Sequence, residues 1–344
     1  MAGNIRGTMV LSLDLELSWG RFDKVPVNAL DAQSLEERKH IKSLLALMDR
    51  YEIPATWAMV GHLMLDSCDR DQGGHAHGEI RPRPRFSWFP RDWFCFDPCT
   101  RGSLAPGWYA PDILDWIREA QVPHEIGSHS FAHIYYGDPE CTSSIARADI
   151  QAAVEAAAKR NVVLKSFVFP RNQVGHLQLL KSFGLRTYRG ATPEIVPWTK
   201  GALRRGANFL DQLFALPPRK VRAEEVMPGL WNIPGNHLYM TRRGIRKYIP
   251  IASRVLKGKR GIDRAVKTGE LYHLWFHPFN LNFDSDMMLS GLEEIFSYAH
   301  QLREKGLLDI LTMDEYARRL EREKRQPPAP SLRVMPSLVR SSVM

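Results

Sequence analysis

The chain has 344 residues, 44% hydrophobic and 25% charged, with a formal net charge of +9. That length suits one large α/β domain, and the balance is that of a soluble globular protein rather than a disordered or fibrous one. No apolar run approaches the roughly 18 residues a membrane-spanning helix needs.

An apolar segment begins at Met9 after a single early charge, Arg6, with no separate apolar stretch and cleavage site before it. A secretory leader is therefore not expected; a cytoplasmic location is, with peripheral contact at the inner face of the membrane left open. Cys68, Cys95, Cys99 and Cys141 are too few and too scattered for a disulfide framework. Cys95 and Cys99 could clip a zinc, but no second pair follows at finger spacing, so free or packed thiols are expected. The positive charge is local: residues 242–267 hold ten Lys/Arg against one acid, Asp263, and the remainder is close to neutral.

In chain order, residues 9–15 alternate as a strand that runs into Asp14-Leu15-Glu16. Ser34-Leu35-Glu36-Glu37 has the form of a capping box, and Ile41, Leu44, Leu45 and Met48 follow at helical spacing. Residues 55–60 read as a second strand. Strand, helix, strand requires a crossover and hence parallel pairing. Residues 66–110 break the pattern with Gly, Pro, Arg and many aromatics. Loops of this length inside a domain are usually functional or disordered, and the aromatics argue against disorder. The rings either form a carbohydrate platform, with Trp88, Trp93 and Trp108 as its candidates, or fasten the loop to the body.

A helix is expected from Pro111 through Gln121, then a short strand delivering His129 and His133, four residues apart. Were that segment a helical turn, both imidazoles would share one face. An Ala-rich helix is expected over 143–159, a strand over 162–169 ending in Pro170-Arg171-Asn172-Gln173, a helix over 175–183 and a strand over 185–188. Residues 190–228 read as irregular and 230–234 as a short strand. Ile245, Tyr248, Ile249, Ala252 and Val255 form an apolar helical stripe within the basic segment. Residues 271–276 form an apolar strand closed by His277-Pro278; a helix over 287–305, a strand over 307–311 and a last helix to Arg325 complete the pattern. Alternating strands and helices indicate a β/α barrel. One catalytic domain is expected over 1–325, with insertions at about 66–110 and 190–268, followed by a flexible tail over 326–344. Asp14, Glu16, His129, His133, Arg171 and His277 all fall at strand C-terminal ends, which meet on one rim of a parallel barrel.

This constellation resembles the polysaccharide deacetylases of carbohydrate esterase family 4. Asp14-Leu15-Glu16 is similar to a variant branch in which the two acids of the first motif stand one residue apart. His129-Ser130-Phe131-Ala132-His133 matches the second motif, with His124-Glu125-Ile126-Gly127 before it. Phe169-Pro170-Arg171-Asn172 is similar to the third, with the proline displaced to precede the arginine. Leu274-Trp275-Phe276-His277-Pro278 matches the last.

The resemblance implies a distorted, incomplete (β/α)7-type barrel and hydrolysis of an N-acyl group on an amino sugar. Glu16, His129 and His133 would hold a divalent metal, Zn²⁺ first, with Asp14 as base, Arg171 orienting Asp14 and His277 as acid; Asp14 and Glu16 could exchange roles. Asn172 or Gln173 replaces the family's tyrosine, so Asn172 is carried as a substrate contact. The basic segment could meet anionic lipid, hold the phosphates of a nucleotide- or lipid-linked sugar, or be a solvated face. Nucleic acid is not expected, because no recognised module accompanies the charge. The chemistry suggests a surface-polysaccharide or glycolipid precursor as substrate. Two other readings stay open: a non-catalytic carbohydrate-binding relative, and a hydrolase of another non-peptide C–N bond of the ureide type.

Overall fold

The computed structural model describes residues 6–191 and 201–325. The tail over 326–344, and residues 192–200 of the expected second insertion, lie outside the described residues. In chain order the elements are β1 (Gly7–Leu15), α1 (Val27–Tyr51), β2 (Thr56–Met59), α2 (Pro111–Glu119), β3 (Glu125–Ser128), α3 (Ser143–Lys159), β4 (Ser166–Val168), α4 (Leu177–Ser182), β5 (Thr187–Arg189), α5 (Gly201–Leu213), β6 (Glu224–Met227), β7 (Leu230–Asn232), β8 (His237–Leu238), α6 (Ile251–Thr268), β9 (Leu271–Phe276), α7 (Ser285–Glu304), β10 (Leu308–Leu311) and α8 (Met313–Arg325).

Nine strands pair in the order β6-β7-β5-β4-β3-β2-β1-β9-β8, and β10 joins β1 beside its first four residues. Every pairing is parallel except β6 with β7. The sheet is curled. Arg189 on β5 touches Asp14 on β1, yet β5 stands four strands away. In a flat sheet those strands would be separated by about 19 Å, four steps of ~4.8 Å. The architecture is thus a distorted, incomplete β/α barrel with helices packed outside.

All nine residues of β1 are buried, because both faces of the strand are covered. Met9, Leu11, Leu13 and Leu15 join the main core, whereas Val10 belongs to a smaller cluster with Ala58, Val168, Trp231, Leu271 and Met313. The α8 helix closes the N-terminal end of the strands: Met313 N–H donates to Thr56 Oγ1 at 2.9 Å and Asp314 N–H to Glu125 Oε2 at 3.1 Å. Side chains on a strand alternate, so Val10, Ser12 and Asp14 share one face and Asp14 stands toward the opposite, C-terminal end.

Several local readings change. The α1 helix begins at Val27, so Ser34 and Glu37 are interior, not a cap. Both are buried and serve tertiary contacts: Ser34 Oγ meets Ser18 Oγ at 3.1 Å, and Arg21 donates to Glu37 at 3.2 Å. Residues 190–228 contain α5 and β6. The stripe starting at Ile245 is not one helix. A 3₁₀ turn, Gly244–Tyr248, leaves Ile245 and Tyr248 exposed, and α6 starts only at Ile251, after Pro250. Much of the basic segment is internally spent. Arg254 and Lys257 are buried, with Lys257 on Asp211 at 2.7 Å, and Arg242 pairs with Asp284 at 2.7 Å. Among the described residues no helix is long and apolar enough to cross a membrane.

Candidate active site

The rim gathers residues from four strand ends. Asp14 lies in β1 and Glu16 one residue beyond it; two positions apart, they point the same way. His129 follows β3 directly, Arg189 is the last residue of β5, and His277 follows β9. Glu16 Oε1 lies 2.9 Å from His129 Nε2, 3.1 Å from His133 Nε2 and 3.3 Å from His277 Nε2. His277 Nε2 is also 3.5 Å from Asp14 Oδ2. Asp14, Glu16, His129 and His133 are nearly sealed, and His277 is the partly open member, with a fifth of its side chain exposed.

The two histidines do not meet on a helical turn. They converge through a loop in which Ser130 (φ 70°) and His133 (φ 57°) adopt left-handed backbone. Non-glycine residues there cost energy and persist only when surroundings hold them. Asp149 on α3 supplies that hold. Its buried carboxylate accepts Ser130 Oγ–H at 2.8 Å, Phe131 N–H at 2.9 Å, Ala132 N–H at 3.1 Å and Tyr136 O–H at 2.7 Å.

His129 Nδ1 lies 2.8 Å from the Val168 carbonyl, an acceptor only, so a proton sits on Nδ1 and Nε2 is the nitrogen turned to Glu16. A carboxylate oxygen and imidazole nitrogens thus converge at one point, an arrangement a divalent cation resolves. Gly20 closes the back of this cradle: a Cβ there would lie 1.7 Å from Glu16 Oε2, so no side chain fits. The donor set therefore fits the metal expected from the sequence.

Arg171 does not touch Asp14. Its guanidinium donates to Gly20 O at 2.9 Å and Asp23 at 3.2 Å, and its Nε to Tyr135 Oη at 3.0 Å. Its backbone takes a left-handed turn just past β4, which carries the side chain over the rim instead of into the barrel. The contact expected of Arg171 is made by Arg189, whose Nη1 and Nη2 each donate to Asp14 at 2.6 Å. Arg189 is itself fixed. Nη1 donates to Ser12 Oγ at 3.0 Å, Ser12 Oγ lies 2.9 Å from His273 Nε2, and the guanidinium sits 4.2 Å over Trp275. Asn172 Oδ1 accepts from Arg189 at 3.4 Å, so this side chain also braces the arginine.

The electrostatics follow from these contacts. Burial alone would raise the Asp14 carboxyl, but Arg189 and His277 hold it below its ordinary value. Glu16 is held well below the carboxylate range against burial by His277, His133 and His129. His277 is raised by Glu16 and Asp14 against the opposing effect of burial, so it favours the imidazolium.

The tryptophans separate into two kinds. Trp93 and Trp108 are buried and present no face to a ligand. Trp93 Nε1 donates to the Ala132 carbonyl at 2.7 Å, and Trp108 packs edge-on against Trp19. Trp93 walls the histidine loop and Trp108 the ring cluster of Trp19 and Phe22, because a large apolar ring gains most when wholly covered. Trp88 is exposed at 40%, stacks on Tyr135 at 5.0 Å, and Tyr135 packs 6.0 Å from His133. A further cluster of possible metal ligands, His62, Cys68, His77 and Asp97, shares no member with the rim.

A family model, polysaccharide deacetylase, matches residues 21–187. The chain carries a polysaccharide deacetylase family domain. Solved structures agree in fold. A Mycobacterium smegmatis protein classed as a polysaccharide deacetylase superposes with a TM-score of 0.61 at 12% identity, covering 100% of this chain and 97% of the other. A Pseudomonas aeruginosa PAO1 protein of the same class gives 0.59 at 12% identity, covering 94% and 93%. PuuE allantoinase gives 0.58 at 11% identity, covering 94% and 92%. No curated protein matches the chain. Family and ligand geometry together support a metal-dependent hydrolase of the polysaccharide deacetylase superfamily.

Proposed function

We propose that this polysaccharide deacetylase domain removes an N-acyl group, acetyl first, from an amino sugar in a surface-polysaccharide or glycolipid precursor. The observation that carries the reading is the bidentate Arg189–Asp14 pair beside Glu16, His129 and His133, with His277 facing both acids. Glu16, His129 and His133 would hold a divalent metal, Zn²⁺ by its preference for nitrogen and carboxylate donors. When bound, such a metal polarises the acyl carbonyl and acidifies water.

The chain's own residues supply the proton traffic. Asp14, kept anionic and aimed by Arg189, takes a proton from the attacking water. Its Oδ2 lies 3.5 Å from His277 Nε2, so base and acid flank one point. His277 gives its proton to the departing nitrogen as the C–N bond breaks, and the amine leaves neutral. Arg171, tied to Asp23 and Tyr135, shapes the rim. Trp88, exposed on Tyr135, offers the sugar a stacking face, which favours an amino sugar over a ureide.

The test is mass spectrometry of a panel of N-acetylated nucleotide- and lipid-linked amino sugars, with allantoin as the ureide arm and Asp14→Asn as the blank. Loss of an acetyl group that is absent in the blank supports the reading. Turnover of the ureide alone replaces the substrate class, and metal binding without any turnover favours a non-catalytic carbohydrate-binding relative.

A further inference from the structure

We infer that the insertion between β2 and α2 carries its own structural metal ion, zinc by its donor set, held by His62 Nε2, Cys68 Sγ, His77 Nε2 and Asp97 Oδ2. The ligand atoms crowd one point. His62 Nε2 lies 2.9 Å from His77 Nε2, and Asp97 Oδ2 lies 2.8 Å from the first and 2.9 Å from the second. Cys68 Sγ is 3.3 Å from the same oxygen.

The protons are placed by the outer contacts. His62 Nδ1 faces the Trp108 carbonyl at 3.0 Å, and His77 Nδ1 faces Glu79 Oε1 at 3.3 Å. Both partners only accept, so each Nδ1 carries hydrogen and each Nε2 is the nitrogen left for a cation. Two ring nitrogens, a carboxylate oxygen and a thiol thus crowd one point at hydrogen-bond distance. A cation relieves this, and the thiol ionises on binding it. The far oxygen of Asp97 is occupied, accepting Tyr109 O–H at 2.7 Å and Cys99 N–H at 3.0 Å, which leaves Oδ2 for the metal. Such outer partners orient ligands in protein metal sites.

Four protein donors with His62, His77 and Asp97 buried make a closed site, the form of a structural rather than a catalytic zinc. It answers a need of the fold. Among the described residues, 66–110 contain isolated bridges and one three-residue 3₁₀ turn, Gly102–Leu104, but no strand or α-helix. Cys68, His77 and Asp97 are spread along that insertion, and His62 stands just outside it, in the turn after β2. One ion therefore fastens the long loop to the barrel. It also reaches the rim: His62 N–H donates to Phe131 O at 3.0 Å and Gly61 N–H to Ser130 O at 2.8 Å. The metal braces the loop that aims His129 and His133.

Cobalt substitution tests this independently of hydrolysis, since the rim cluster contains no sulfur. The protein is loaded with Co²⁺ or Zn²⁺ alone, and metal per chain and the thiolate-to-cobalt charge-transfer band are read. We expect His133→Ala, with the rim cluster disabled, to keep one metal per chain and the band. Cys68→Ala should lose the band and that metal, and Cys68→His should keep the metal without the band. A metal-free His133→Ala without the band overturns the inference. Cys99 Sγ stands 2.7 Å from Cys68 Sγ, so a Cys68–Cys99 disulfide in protein alkylated at lysis overturns it too. Should Cys68→Ala fail to fold, wild type and His133→Ala still decide.

Discussion

Replacing Arg189 with methionine separates the two arginines by their energetics. Asp14 is 2% exposed, and both its oxygens accept from Arg189 at 2.6 Å. At about 3 Å and an effective dielectric near 20, such a charge pair interacts with roughly 5 kcal/mol. Removing one member of a buried pair costs about 3–5 kcal/mol, because the other is stranded. Asp14 escapes part of this by taking a proton. The paired carboxylate has a depressed pKa, so its stabilisation is present above the unfolded value of 3.8 and is lost as pH falls through the folded value. In Arg189→Met the folded pKa rises instead, and the cost persists at neutral pH. The base is then partly protonated where the wild type is fully ionised. Arg171→Met breaks a pair whose arginine side chain is 37% exposed and whose buried acid, Asp23, keeps Tyr135 and Lys24, and should cost only about 1 kcal/mol. Urea unfolding at pH 7 gives both differences, and deacetylation against pH gives the acid limb. Arg189→Met should lose several kcal/mol and shift the acid limb upward, whereas Arg171→Met should do neither. The reverse result, with Arg171 moving the limb and Arg189 silent, refutes this assignment.

Four other outcomes follow from the same contacts. Gly20→Ala drives a Cβ into Glu16 Oε2, and chelator competition should show metal affinity falling about 10–100-fold, as when a ligand's support is removed. Trp88→Ala should raise KM about three- to tenfold with kcat unchanged, the ~0.5–1.5 kcal/mol of a stacked ring; a fall in kcat alone would deny it a binding role. Glu37 is pushed up to about 7 by burial and the nearby Glu16 charge, against Arg21. The folded state thus holds this proton more tightly, so stability is full below the unfolded 4.5 and falls as pH rises toward 7, by at most about 3 kcal/mol. Glu37→Gln should abolish that slope in urea titrations of metal-free protein between pH 4 and pH 8, windows set by about the same pKa values. Finally, the 3₁₀ turn exposes Ile245 and Tyr248 beside Arg243, Arg246 and Lys247. If it touches anionic lipid, wild type should sediment with anionic liposomes at low salt and Ile245→Asp/Tyr248→Ser should not; no sedimentation of the wild type removes the membrane contact.

Much of this site can be read from sequence because its chemistry is locally written. The apolar runs of β1 and β9 end in Asp14-Leu15-Glu16 and His277, and His129 and His133 lie within five residues. Arg189 carries no such mark. It ends the three-residue strand β5 and becomes functional only because the sheet curls to bring β5 to β1. Its one mark is its place at a strand's C-terminal end, in a segment, Leu185-Arg186-Thr187-Tyr188-Arg189, that already holds another arginine. Asp149 was hidden in the Ala-rich α3, where an acid reads as solvent-facing. Ser34 and Glu37 misled because a cap is a local pattern, whereas Ser18 and Arg21 recruit the same side chains from outside the helix. His62, Cys68, His77 and Asp97 stand at intervals matching no metal signature; only folding of the insertion brings them together.

The most direct test of the central claim, that one divalent ion is held by Glu16, His129 and His133 beside Asp14, is an anomalous difference map from zinc-loaded crystals. A peak bonded to Glu16, His129 and His133 is the predicted result. Full zinc loading with no peak among those three side chains would contradict it.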